Sequence, residues 1–212
     1  MKRAYIAACI VAAGTINFAA VSIAAVVDFE SIPIGTKYGD AHGQVPGQVV
    51  FTQEGIAVSV ENFHLGSFVG FIEAEVGGYY GQFFPTTPLE LDNISAAFDF
   101  TNLGFDVTNV TLEYREFGGE DNFSVNGQVP AYVLPDLTDL PVNVAPGITA
   151  SVVAQQGITL TAAPGYRITE FLIGGQELGI DTIVAVPEPA TALLLGLAGL
   201  TALARRRGRR RM

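Results

Sequence analysis

The chain has 212 residues, with 21 acidic and 11 basic residues, one Cys and no Trp. A chain of this length forms one domain with room for short appended segments. The charge is uneven: between positions 26 and 186 three basic residues stand against twenty acidic ones, a net charge of −17. Nucleic acid is therefore excluded as a partner of this region, because a nucleic-acid binder needs a basic surface that displaces phosphate counterions.

Residues 1–25 have the layout of a secretory signal peptide. Lys2 and Arg3 precede an apolar stretch that ends in small residues, and the first acidic residue is Asp28. We expect cleavage after Ala24 or Ala25; the alternative is an uncleaved anchor helix. Cys9 lies inside this segment, so the cleaved chain has no disulfide and its fold depends on its core.

Residues 26–186 show strand patterns separated by frequent turn residues, which predicts an all-β fold. Apolar residues alternate with polar ones most clearly at 94–100 and 110–115, so one face of each of these strands should line the core. About 160 residues with this pattern predict a single β-sandwich domain, with a jelly-roll arrangement preferred over an immunoglobulin-type one. The other predicted strands are 26–29, 48–52, 56–60, 68–73, 123–125, 131–134, 142–144, 151–154, 157–162, 168–173 and 178–184.

Glycine-containing pairs predict the turns between these strands. Asn126 with Gly127 is the strongest hairpin signal, because both residues readily adopt positive φ. Two glycine pairs are predicted as turns on the same ground: Gly118 with Gly119, and Gly174 with Gly175.

The C-terminal segment, residues 187–212, combines three features of different chemistry. Pro187, Glu188 and Pro189 precede fifteen uncharged residues, 190–204, and an arginine-rich end, 205–211. As a helix, 190–204 would be about 22 Å long, short for a hydrocarbon core of roughly 30 Å. Arginines after such a helix stay in the cytoplasm, so the domain lies on the other side of the membrane.

This order of features resembles the PEP-CTERM sorting signal of exported bacterial proteins, which some descriptions also connect with ice-binding proteins. The resemblance implies processing by an exosortase, a membrane protease that removes the tail near Pro187, Glu188 and Pro189. It also implies a Gram-negative, exopolysaccharide-producing host. The alternative is an ordinary tail anchor.

Four carboxylates form the predicted metal site. Ca²⁺ prefers carboxylate and carbonyl oxygens, and Asp28, Glu30, Asp40 and Asp181 would come together if the first and last strands are neighbours. We therefore expect a possible structural Ca²⁺; the alternative is that these groups are solvated or ion-paired. A second acidic group, Glu116, Glu120 and Asp121, is expected in a solvated loop.

An aromatic segment is the candidate binding site. Tyr79, Tyr80, Phe83 and Phe84 lie in a glycine-flanked loop, where exposed rings stack on sugars or anchor protein partners. The alternative is that two or more of these rings face inward and belong to the core.

Catalytic residues are not predicted, because the sequence lacks a nucleophile elbow and a mature Cys. Glu73 and Glu75 have a spacing near that of glycosidase carboxylates, although a solvated strand face explains it equally well. We therefore expect no enzyme.

These features together predict an exported, non-catalytic protein of the cell surface or extracellular matrix, associated with exopolysaccharide or biofilm. Its final location would be the periplasm, outer surface or matrix of a Gram-negative bacterium. Its expected partners are the exosortase, the inner membrane transiently through the C-terminal helix, and extracellular polysaccharide or matrix proteins. The alternatives are a carbohydrate-binding module that uses the loop aromatics, or a glycoside hydrolase.

Overall fold

A computed structural model describes residues 24–128 and 132–188 of the chain. This part is built almost entirely of β-strands, joined by turns and three short 3-10 helices, which confirms the all-β prediction. The 3-10 helices are Asp40–His42, Tyr79–Phe83 and Leu137–Asp139. The strands, numbered in chain order, are β1 (Ala25–Val27), β2 (Lys37–Tyr38), β3 (Gln48–Gln53), β4 (Ile56–Glu61), β5 (Phe63–Leu65), β6 (Phe68–Gly70), β7 (Glu73–Val76), β8 (Leu89–Asp92), β9 (Ile94–Asp99), β10 (Val107–Val125), β11 (Tyr132–Leu134), β12 (Asn143–Ala145), β13 (Ile148–Val153), β14 (Gly157–Ala162) and β15 (Glu170–Pro187).

Two long antiparallel strands, β10 and β15, organise the sheet. The first part of β10 pairs with β14, and the last part of β15 pairs with β1. The second part of β10 pairs with β11, while the first part of β15 pairs with β9, which continues to β4 and β3. The middle of β15 pairs with β8, which leads to β7 and β2. All thirteen strands of this sheet are therefore connected through one strand pair, and β5 and β6 form a separate hairpin.

The predicted turns at Gly118 with Gly119 and at Gly174 with Gly175 are wrong, because both pairs lie inside long strands. The pairing register between β10 and β15 shifts on either side of Gly118. Gly119 has φ of +86°, which glycine adopts without steric cost and which suits a bulge. The glycines thus bend continuous strands instead of ending them. By contrast, the hairpin at Asn126 with Gly127 is confirmed, since β10 and β11 pair on either side of it.

One hydrophobic core joins the strands. The predicted alternation is confirmed: Ile94, Ala96 and Phe98 of β9 are buried, as are Val110, Leu112 and Tyr114 of β10. Stacked aromatic rings also connect paired strands. Phe98 of β9 stacks on Phe171 of β15, with 4.8 Å between the ring centroids. Packing of two layers and the jelly-roll strand order stay predictions.

The described residues contain no helix long and apolar enough to span a bilayer. The predicted signal peptide lies outside the described part of the chain, apart from its last two residues, and so does the whole predicted apolar helix 190–204.

Candidate functional site

Four aromatic side chains meet at the surface and form what we call the aromatic cluster: Tyr79, Tyr80, Phe83 and Phe117. The Tyr80 and Phe117 rings are stacked, 3.9 Å between centroids and nearly parallel at 8°. Tyr79 meets Tyr80 edge to face at 5.4 Å, and Phe83 lies 5.1 Å from Phe117. Tyr79 is 76% exposed and Phe83 is 50% exposed. The cluster therefore presents ring surface to solvent on a stacked base.

Backbone hydrogen bonds to Glu90 hold the aromatic loop. The loop is the 3-10 helix Tyr79–Phe83, and the Glu90 carboxylate on β8 accepts from the N–H groups of Tyr80 and Gly81, the latter at 2.9 Å. Burial raises the pKa of Glu90, and the Glu75 charge raises it further, whereas these backbone donors lower it. A Cβ on Gly78 would lie 2.6 Å from Glu90 Oε2, so a larger residue there would displace the Glu90 carboxylate.

A cleft of about 270 Å³ lies beside the cluster. Tyr79 and Tyr80 form one side, and the other lining groups are mostly acidic or amide side chains from β7, β8 and β15. They include Glu73, Glu75, Glu90, Asp92, Gln176 and Glu177. The cleft thus combines aromatic faces with many hydrogen-bond acceptors, the composition of a site for a ligand rich in hydroxyl groups.

The carboxylate pair considered for glycoside hydrolysis is bound to one lysine. Lys37 Nζ lies 2.8 Å from Glu73 and 3.1 Å from Glu75, and His42 adds a contact of 2.9 Å to Glu73. The hydrogen bonds from Lys37 and His42 lower the pKa of Glu73. A general acid needs a raised pKa, so the shift at Glu73 has the opposite direction.

The four predicted binding residues divide into two groups. Tyr79, Tyr80 and Phe83 come together in the cluster, whereas Phe84 is buried, and a Cβ on Gly179 would lie 2.6 Å from its ring. Phe117, the base of the stack, was not predicted. No local signal indicates it, because its contact with Tyr80 arises from the long-range pairing of β10, β15 and β8.

Pro187 and Glu188, the first two residues of the predicted sorting motif, lie at the end of the sheet. Strand β15 ends at Pro187, which pairs with Val107, and the Glu188 N–H donates to the Asp106 carbonyl at 3.3 Å. Pro189 lies outside the described residues. A family model described as the PEP-CTERM protein-sorting motif matches residues 185–211. The chain carries a PEP-CTERM motif.

The PEP-CTERM motif marks the chain as an exported protein that an exosortase sorts, in the export route of Gram-negative bacteria. The match covers the tail and the last residues of β15 only, so it assigns a route to the protein and leaves the activity of the β-domain open. No curated protein matches the chain.

Three of the four carboxylates predicted to bind Ca²⁺ have separate protein partners in the structure. Strands β1 and β15 are neighbours as expected, but Asp28 accepts from Gln53 at 2.6 Å and Glu30 from the Thr87 N–H at 2.8 Å. Asp181 is buried and accepts from Thr86 and from the Thr182 N–H, while Asp40 is exposed.

The structure does not assemble these four groups as one ligand set: among the described residues, no three or more His, Cys, Asp or Glu side chains are placed to hold a metal ion. Calcium binding stays a prediction. Thermal unfolding with millimolar Ca²⁺ or with chelator, at matched ionic strength, tests it, because a ligand bound only by the folded chain stabilises that chain.

The second acidic group is not in a solvated loop, and that expectation is wrong. Glu116 and Asp121 lie on β10, where Asp121 is only 1% exposed. Burial raises the pKa of Asp121 to about 10, and the neighbouring Glu116 carboxyl adds to the shift. The bulge at Gly118 and Gly119 explains the difference, because it continues the strand and carries these side chains into the protein.

Proposed function

We propose that this is a non-catalytic protein of the cell surface or extracellular matrix that binds a neutral polysaccharide through the aromatic cluster and its cleft. Its domain is proposed to be a β-sandwich of jelly-roll type, matching the single core and the connected antiparallel strands. The observation that carries the proposal is the exposed Tyr79 ring beside the Tyr80–Phe117 stack, at the edge of an acceptor-lined cleft.

Sugar recognition matches the chemistry of this cleft. The C–H face of a pyranose ring is apolar and packs on an aromatic face, for which a contribution on the order of 1 kcal/mol per ring is typical of aromatic contacts. Sugar hydroxyl groups donate hydrogen bonds, and Glu75, Asp92 and Glu177 supply acceptors. A few such contacts give weak binding at one site, which repeated units on a polymer strengthen.

The net negative charge of the domain limits which polysaccharides it can bind. Residues 24–188 contain three basic and 21 acidic residues, a net charge of −18. An anionic polymer would be repelled by this domain. The proposed ligand of the aromatic cluster is therefore a neutral and not an anionic polysaccharide.

Affinity electrophoresis of the protein purified from its host, in gels containing neutral polysaccharides, tests this function. We expect retardation by at least one neutral polymer and none by alginate, which is anionic. Tyr79→Ala should weaken binding about five- to tenfold, and Tyr79→Ala with Tyr80→Ala should abolish it. Tyr166→Ala removes a ring that is 50% exposed elsewhere and should leave binding unchanged.

Two results would contradict the proposal. Retardation that survives the double Tyr variant would place the binding surface elsewhere. Release of reducing sugar from the bound polymer, lost in Glu73→Gln, would show a glycoside hydrolase instead of a binding protein.

A further inference from the structure

A second and larger cavity, of about 540 Å³, lies on the outer face of β4, β9, β15, β10 and β11. Its floor follows one register across the sheet, since Ala97 pairs with Leu172 and Leu172 pairs with Ser124. Side chains in register on adjacent strands share a face, and these three face away from the buried Phe98 and Phe171. The floor is therefore a trough of small and apolar side chains.

A buried amide fixes one wall of this outer-face cavity. Asn122 is fully buried, and its side chain accepts from the His64 N–H at 2.6 Å and donates to the His64 carbonyl at 2.8 Å. These two bonds attach the β5–β6 hairpin to β10, so Asn62 and His64 have defined positions at the cavity. The wall is part of the fold, and a ligand would meet it already formed.

The opposite wall carries a hydrogen-bond acceptor without a donor. Gln128 follows the Asn126–Gly127 turn, and its Nε2 donates to Tyr132 Oη at 3.0 Å. Its Oε1 is buried and has no hydrogen-bond partner among the described residues. A buried acceptor without a donor is unfavourable, so this wall carries a polar group that the fold itself leaves unsatisfied.

Two carboxylates, Glu61 and Glu170, line the same cavity. Burial raises the pKa of Glu61, and the Glu170 charge raises it further. The three basic residues of the described chain are engaged elsewhere: Lys37 binds Glu73 and Glu75, Arg167 binds Asp106, and Arg115 donates to backbone carbonyls. Within the described ranges the cavity is thus an acidic site without a Lys or Arg partner, and His64 is the basic side chain on its wall.

We propose that the outer-face cavity binds a hexosamine unit with a free amine, its ammonium group between Glu61 and Glu170. The ring C–H groups would pack on Ala97 and Leu172, and hydroxyl groups would hydrogen-bond at the wall that Asn62 and His64 form. The volume is within the range of small-ligand sites. A metal ion fits less well, because no group of three His, Cys, Asp or Glu side chains is present among the described residues.

Calorimetric titration of the purified protein with glucosamine, N-acetylglucosamine and glucose tests this site. The three ligands share a pyranose ring and differ in the group at C2, which is charged only in glucosamine. We therefore expect glucosamine to bind at least tenfold more tightly than the other two. Glu61→Gln and Glu170→Gln should each weaken glucosamine binding at least tenfold. Glu113→Gln, which removes an exposed carboxylate of β10 outside the cavity, should not.

Three further results decide the proposal. Unchanged glucosamine binding by Tyr79→Ala supports a site separate from the aromatic cluster, and that binding can persist even if the proposed polysaccharide function fails. Equal affinity for glucose and glucosamine would overturn the role of the ammonium group. Equal affinity for cadaverine, an alkyl diamine, would overturn recognition of the sugar. Thermal melting of each Gln variant confirms that it is folded before its affinity is interpreted.

Discussion

At the scale of single residues, the most unusual feature is the buried carboxyl pair of Glu116 and Asp121. Glu116 Oε2 and Asp121 Oδ2 are buried, and neither carboxylate oxygen has a hydrogen-bond donor among the described residues. The nearby charge of Asp136 raises the pKa of Asp121 further, and burial also raises the pKa of Tyr114 beside the pair. The Asp121 proton is therefore retained in the folded protein, where it can bridge the two carboxyl groups.

The free energy of unfolding should depend on pH through Asp121. Its folded pKa, about 10, is above the ordinary value of 3.8, so the folded chain binds the proton more tightly than the unfolded chain. This stabilisation is complete below about pH 4 and is lost as the pH rises towards 10. Asp121→Asn stays neutral and should stabilise the protein at pH 8, by on the order of 1–3 kcal/mol.

Urea unfolding between pH 5 and pH 9 measures this effect. The parent protein should lose stability across the range, and Asp121→Asn should show a flatter profile. Asp139→Asn, at an exposed position, is the matched control and should follow the parent. An Asp121→Asn profile with the parent's slope would contradict the shared proton.

At the scale of the elements, the glycines inside β10 and β15 decide the path of the sheet. Gly119 combines φ of +86° with close contact to β15, since a Cβ there would lie 2.5 Å from Gln176 Cβ. In β15, a Cβ on Gly174 would lie 2.1 Å from Ser95 Oγ. These positions allow two strands of 19 and 18 residues to stay paired past a bend.

Gly119→Ala should therefore cost more stability than a substitution at a glycine with the same backbone constraint and open surroundings. Gly104 has φ of +70°, and a Cβ on it would point into open space with no contact within 4 Å, so Gly104→Ala should cost about 1 kcal/mol from the backbone alone. Gly119→Ala adds overpacking and should cost about 2–4 kcal/mol. Equal urea midpoints for the two variants would show that β15 moves away freely and that the bulge is not constrained.

Prediction from sequence was reliable where the information is local. Alternation at β9 and β10 identified the buried faces, and Asn126 with Gly127 identified a hairpin, because both signals lie within a few residues. Glycine pairs mark turns and bulges alike, so the continuity of β10 and β15 depended on pairing between distant segments. For the same reason the sequence indicated Tyr79 and Tyr80 as surface aromatics but could not indicate Phe117 beneath them.

At the scale of the whole molecule, charge and sorting act together. A domain of net charge −18 repels itself, and salt screens this repulsion. The melting temperature should therefore rise by several degrees between 10 mM and 500 mM NaCl. A melting temperature that falls over this range would mean that ion pairs such as Lys37 with Glu73 contribute more than the net repulsion removes.

The intact mass of the protein in each cell fraction of its host tests the central claim, export and exosortase processing, most directly. We expect a surface or extracellular species that lacks residues 1 to about 25 and everything beyond the region of Pro187 and Glu188. Because β15 ends at Pro187, the C-terminal cut should leave β15 complete, and a cut after Ala24 should leave β1 (Ala25–Val27) complete as well. A protein that stays in the inner membrane with its C-terminus intact to Met212 would be a tail-anchored protein, and the proposed role outside the cell would be contradicted.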